Sequence, residues 1–227
     1  MASFSAERRE ARLREYCEPD KIISDRAYNV VLGATVLYGV IVNILLCTFV
    51  GNIYYYMNPI VFLIGYFILA FAGSTIAYRS NNPAISFLGY NMIVVPVGLV
   101  ISSLVSVYGG VSSGVVLEAF YYTALVTAIM IVAALAFPDI FERIGGFLFV
   151  SLIAILISSF IGMFFAGFSN MVAWFAAVIF SLYIGYDFHR SQMFPRTVDN
   201  AIDCALDIYL DIANLFIRIL QILGRRD

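Results

Sequence analysis

Between Ala27 and Tyr186 only five side chains carry charge: Arg79, Glu118, Asp139, Glu142 and Arg143. A folded water-soluble domain does not tolerate so uncharged a surface. Polar or Gly- and Pro-bearing breaks divide the sequence into seven apolar segments, at about 29–50, 58–78, 84–107, 115–137, 147–168, 171–190 and 200–222. Each is close to the roughly 20 residues that a helix needs to cross a bilayer. The sequence therefore predicts an all-α, polytopic integral membrane protein, a bundle of seven transmembrane helices over 29–227 preceded by a charged tail over 1–28. With 62% hydrophobic and 12% charged residues, the chain leaves no room for a separate soluble domain.

Local signals sharpen the plan. Asn58-Pro59 and Asn82-Pro83 each offer an Asn cap followed by Pro at the first helical position. Pro138 and Pro195 fall in connections, and Pro96 lies within the third segment, where it predicts a kink. Ala154, Ser158, Gly162 and Ala166 recur every four residues, a small-residue face that lets another helix come close. The first apolar run is too long and too late for a secretory signal, so the N-terminal stretch reads as an uncleaved tail. Six of the 13 Lys and Arg residues precede Ala27, and the connections near 51–57, 108–114 and 166–170 hold none. That bias puts the N-terminus in the cytoplasm. Arg225 and Arg226 then lie outside if the last segment crosses, which is the reading favoured over a segment that enters and returns. Cys17, Cys47 and Cys204 are scattered and read as small packing residues. No disulfide frame, zinc site, cofactor or nucleic-acid partner is indicated; the partner the composition demands is the lipid bilayer.

The last two segments carry the chemistry. Asp199, Asp203, Asp207 and Asp211 recur every four residues, which places four carboxylates on one helical face. Asp187 closes the preceding segment, in "SLYIGYDFHR". With the turn between Pro195 and Asp199, Asp187 stands roughly 12 Å and Asp211 roughly 18 Å from it, so two antiparallel helices bring them to similar depth. Two carboxylates in contact away from bulk water do not both ionise cheaply; one holds a proton and the pair titrates as a unit. Deprotonating both pushes the helices apart or demands a cation, and calcium prefers carboxylate oxygen. Asp187 and Asp211 are thus the expected pH sensor and transient cation ligands. Asp199 and Asp203 read as capping or solvated acids, and Asp207 as lining a vestibule. Arg79 reads as an anchor at the inner end of the second segment or as a gating contact, and Glu118 as a hydrated acid near the outer end of the fourth. Arg218 snorkels outward or pairs with Glu118, and His189 is an interfacial residue.

"SLYIGYDFHR" followed after a short turn by "ALDIYLDIANLFIRILQILG" resembles the paired signature of the transmembrane Bax inhibitor motif family, bacterial branch. The likeness is strongest over the last 50 or so residues, with "VLEAFYYTALV" agreeing more loosely. The resemblance implies a seven-helix bundle with the last helix central, a pH-sensitive calcium leak channel of the bacterial inner membrane, and a di-aspartate sensor that maps onto Asp187 and Asp211. The family's second helix can also carry an acid and a basic latch. Here "VFLIGYFILAFAGSTIAYR" has no acid, and only Arg79 matches the basic partner.

Other functions fit less well. An aspartyl intramembrane protease pairs Tyr-Asp with Gly-x-Gly-Asp on the next helix; "GYD" matches the first half, but the second half reads "IYLD" and no Pro-Ala-Leu follows. A serine intramembrane protease lacks its Ser and His, and a retinal protein lacks a lysine in a span. The expectation is a non-enzyme. A non-conducting membrane partner of a protease or stress response, and a proton-coupled transporter, stand as the alternatives to a channel.

Overall fold

The computed structural model describes residues 21–162 and 168–224, and among them no strand occurs. Eight α-helices follow in order: α1 Asp25–Phe49, α2 Pro59–Arg79, α3 Pro83–Val107, α4 Gly114–Ala136, α5 Pro138–Arg143, α6 Gly145–Gly162, α7 Phe168–Ser191 and α8 Val198–Leu223. A single 3-10 turn, Ile53–Tyr55, lies between α1 and α2. Each of the seven apolar segments lies on a helix over its described residues, apart from one or two end residues; the short α5, which begins at Pro138, is the element the sequence reading placed in a connection. The tail over 1–20 lies outside the described residues, as do Cys17, Ala166, Arg225 and Arg226.

Caps fix where the helices start. Asn58 Oδ1 accepts from the Ile60 N–H at 2.9 Å and Asn82 Oδ1 from the Ala84 N–H at 3.0 Å, each with Pro in the first turn. Ser24, Ser113 and Thr197 cap α1, α4 and α8 in the same way. α3 continues through Pro96 to Val107.

Five helices, α1 to α4 and the Asn170–Ser191 portion of α7, are long and apolar enough to cross a membrane. α6 contributes a shorter apolar stretch, Gly145–Ile161. The chain is thus a multi-pass membrane protein. Its outward faces are apolar: Phe67, Ile68 and Phe71 on α2, and Leu156 and Phe160 on α6, are all more than half exposed. Such side chains belong against lipid.

α8 differs from the rest. It is strongly amphipathic, it runs 26 residues or roughly 39 Å, and it packs against α1, α3, α4 and α7. Fifteen of its residues are buried, against three in α2. The core therefore gathers around α8: Ala201, Ala205, Leu206, Ile208 and Tyr209 meet Tyr90, Val94 and Val97 of α3 in one cluster, and Leu215 and Ile222 join Ile179 and Ile184 of α7 in a second.

Of the small-residue face predicted for α6, Ala154 is exposed and Ser158 half-buried, and Ala166 lies outside the described residues; the buried positions along α6 are Leu148, Ser151 and Ile155, with Leu148 and Ile155 in the cluster shared with α7. A close approach occurs between α2 and α3. A Cβ built on Gly73 meets the Gly89 carbonyl oxygen at 2.7 Å, and one on Gly89 meets the Gly73 carbonyl oxygen at 2.6 Å. These glycines let two backbones touch, the small-residue contact that drives helix association in lipid. Gly89→Val is therefore expected to force α2 from α3 and destabilise the protein by about 1–3 kcal/mol, whereas Gly65→Ala, which meets nothing within 4 Å, is neutral. Thermal unfolding of the two variants in one detergent checks the contrast.

Candidate functional site

The acids of α8 start at its N-terminus and climb one face. Thr197 caps the helix, accepting from the Asn200 N–H at 3.1 Å. Asp199 follows in the first turn, where its charge complements the positive end of the helix dipole. Of the two readings of Asp199 and Asp203, capping or solvated, the solvated one fails: they are 6% and 4% exposed, because α3 covers this end of α8. Ser86 of α3, fully buried, donates its hydroxyl to Asp199 Oδ1 at 2.6 Å, with the Ala77 carbonyl 3.2 Å away. Asp207 is half-buried and accepts from the Tyr78 hydroxyl of α2 at 2.5 Å. Asp211, one turn further on, is 7% exposed. Three of the four acids are thus buried, and Asp199 and Asp207 each meet a hydroxyl from a neighbouring helix.

Asp187 is half-buried near the end of α7, the helix packed against α8. The Tyr28 hydroxyl of α1 donates to the Ser191 carbonyl, four residues further on, at 2.8 Å.

A clamp fixes the α7–α8 connection. The Ile23 N–H donates to the Arg196 carbonyl at 2.8 Å, Arg196 Nε pairs with Asp25 Oδ1 at 3.0 Å, and the Arg196 guanidinium lies 5.0 Å from the centre of the Tyr28 ring. Gln192 Nε2 donates to Asn29 Oδ1 at 2.9 Å. The start of α1 thus holds the turn that sets the register of α7 against α8.

Deeper along α8, Tyr209 meets Asn43 of α1, with the Asn43 amide nitrogen 2.9 Å and its oxygen 3.0 Å from the tyrosine hydroxyl. Tyr90 of α3 donates to the Thr35 carbonyl at 2.8 Å beside them. The sequence signal for this polar tie was present: Asn43 is the one amide side chain in the apolar run from Val30 to Val50. Ser86 and Tyr78 gave no such signal, since a hydroxyl in a span commonly bonds to its own helix.

The remaining candidates stand apart from this cluster. Arg79 is exposed as the last residue of α2, and Glu118 is exposed near the start of α4. Arg218 does not pair with Glu118 and extends toward the C-terminal end of α8. It donates to Gln221 Oε1 at 3.1 Å and reaches Ser159 Oγ of α6 at 3.5 Å, with its Nε buried and unpartnered among the described residues. His189 is half-buried in the last turn of α7. Cys47 and Cys204 are free thiols. Among the described residues no three His, Cys, Asp or Glu side chains are grouped to hold a metal ion.

The comparisons with known proteins bear on this hairpin and on the bundle around it. A family model described as "Inhibitor of apoptosis-promoting Bax1" matches residues 21–227. The chain belongs to the Bax inhibitor-1 family. Its relatives include an uncharacterized protein of Helicobacter pylori J99, 37% identical over 113 residues that cover 49% of this chain and 48% of that one. Bax inhibitor 1 of Schizosaccharomyces pombe is 35% identical over 123 residues, covering 50% and 43%. A BI1-like protein of Arabidopsis thaliana is 42% identical over 91 residues, covering 38% and 35%. In these alignments the chain spans about half or less of each relative's length.

The hydroxyls facing the acid stripe define a stability test for this family member. Ser86→Ala removes a hydroxyl that donates to the buried Asp199 carboxylate and is expected to cost about 1.5–3 kcal/mol. Asp199→Asn keeps an acceptor oxygen in place and is expected to cost less. Parallel thermal unfolding of both variants reads the difference.

Proposed function

We propose that the chain is a pH-gated cation path that leaks calcium across the inner membrane of a bacterium, with its N-terminus in the cytoplasm. One observation carries the reading: Asp211 is 7% exposed within a membrane bundle, on the helix packed antiparallel against the one that carries the half-buried Asp187. Ionisable groups at membrane depth are costly and mark ion or proton pathways. On this reading the two acids share one interior site.

The mechanism follows from charge. When Asp187 and Asp211 share a proton, the pair carries one negative charge and the helices stay packed. Loss of that proton leaves two like charges in a weakly screening interior, a repulsion relieved by separation of the helices or by an entering cation. Calcium, a hard ion that takes carboxylate oxygen, suits such a site in transit. Asp207, held by Tyr78, is the next carboxylate toward the α7–α8 connection and hands the ion on. Seven crossings, with α6 and α8 spanning beside the five long apolar helices, complete the path. At the inner end, the exposed Arg79 anchors α2 against the phosphate-rich surface.

Calcium-dye flux into proteoliposomes between about pH 5 and pH 8 tests the reading. Wild-type flux is expected to change with pH, and Asp187→Asn or Asp211→Asn, each keeping shape but removing a titrating group, is expected to flatten the ratio between the two ends toward one. Folded wild-type protein that passes no calcium anywhere in this range overturns it, and favours a role through membrane protein partners.

A further inference from the structure

A crevice of about 520 Å³ opens between α1 and α4. Both helices pack against α8, which floors the crevice with Ile208 and Ile212, while Phe188 of α7 and Gln192 just beyond its end close one end. The lining along α1 runs from Asn29 to Val40 and along α4 from Leu135 back to Thr127. Gly33 widens the opening, since a Cβ built on it meets nothing within 4 Å.

Three features identify what fits. First, eleven residues of helix span roughly 16 Å, and the hydrocarbon of one leaflet is about half of a 30 Å core; the crevice is as long as one leaflet is deep. Second, the polar groups that carry amides lie at one end. The Asn29 amide, hydrogen-bonded to Gln192 at 2.9 Å, marks the end at the α7–α8 connection, and aliphatic side chains such as Leu32, Val36 and Ile131 line the stretch beyond it, with the Thr127 hydroxyl the one polar side-chain group there among the described residues. Third, Arg26 is exposed one helical turn before Asn29, on the same side of α1, and so stands at the mouth. A cation over the polar end of an apolar groove complements an anionic headgroup whose chain lies below it.

From this we infer that the α1–α4 crevice is a binding groove for one acyl chain of an anionic phospholipid, taken from the leaflet on the side of the α7–α8 connection, with its phosphate at Arg26. The chain rests on Ile208 and Ile212, the turn of α8 that also carries Asp207 and Asp211. An occupied groove therefore braces the flank of the acidic face, independently of whether that face passes an ion.

Photo-crosslinking tests the assignment. Protein is reconstituted in phosphatidylglycerol or phosphatidylcholine vesicles doped with a phospholipid of the same headgroup bearing a diazirine on its acyl chain, irradiated, and the labelled peptides are mapped by mass spectrometry. In phosphatidylglycerol, labelling of the Thr127–Leu135 stretch is expected to exceed that around Trp174 and Phe175, which are exposed on α7 outside the groove, by severalfold. Gly33→Phe, which fills the open space, is expected to reduce that ratio toward one; Leu37→Trp, at an exposed lining position, serves the same purpose should the first variant aggregate. Arg26→Gln is expected to abolish the excess in phosphatidylglycerol over phosphatidylcholine. Even labelling of all lipid-facing helices, or a ratio that neither filling variant changes, overturns the proposal, as does a headgroup preference indifferent to Arg26→Gln.

Discussion

A carboxylate cannot face lipid at low cost, and α8 carries four of them on one face together with a long apolar surface. The bundle is arranged around that conflict. α1, α3, α4 and α7 enclose α8, and the apolar residues they expose outward take the place against the bilayer that α8 cannot take. Ser86 and Tyr78 extend from α3 and α2 to meet Asp199 and Asp207, so the helices flanking the acid stripe are those that supply donors for it. The Gly73 and Gly89 contact, which draws the backbones of α2 and α3 together, keeps both donors within reach.

The same constraint explains which parts of the architecture were legible in the amino-acid sequence. Seven apolar runs and two Asn-Pro starts located the long helices to within a few residues, because hydropathy and capping are local. The four-residue spacing of Asp199, Asp203, Asp207 and Asp211 placed them on one face for the same reason. What covers that face was not legible. Asp199 and Asp203, near a helix start, read as capping or solvated acids; their burial depends on α3 lying across them, a fact of tertiary packing. Likewise the small-residue stripe of α6 suggested an interface, yet Ala154 is exposed and the larger Leu148 and Ile155 pack. Periodicity reports what a face contains, not which neighbour meets it.

The register of α7 against α8 is the second quantity set by packing rather than by local sequence. Tyr28 of α1 holds the Ser191 carbonyl at the end of α7. The connection that fixes this register is tied to the start of α1 by Arg196, Ile23 and Gln192. An exposed ion pair such as that between Arg196 and Asp25 adds little stability alone, but with the backbone hydrogen bond and the stacked Tyr28 ring it defines one geometry for the turn. The crevice between α1 and α4 abuts this region, so the acid face of α8 and its lipid-side support meet within two helical turns.

The central claim is that protonation of the Asp187 and Asp211 pair sets the relation of the α7–α8 hairpin to its neighbours. The most direct measurement is the distance between spin labels at Met193 and Ile85, both exposed, in a chain whose own cysteines are replaced by alanine, recorded in lipid at about pH 5 and pH 8. The account predicts two distance populations whose proportions change with pH, and a double variant, Asp187→Asn with Asp211→Asn, whose proportions stay fixed. A wild-type distribution identical at both pH values, or a double variant that shifts as much as wild type, would contradict it.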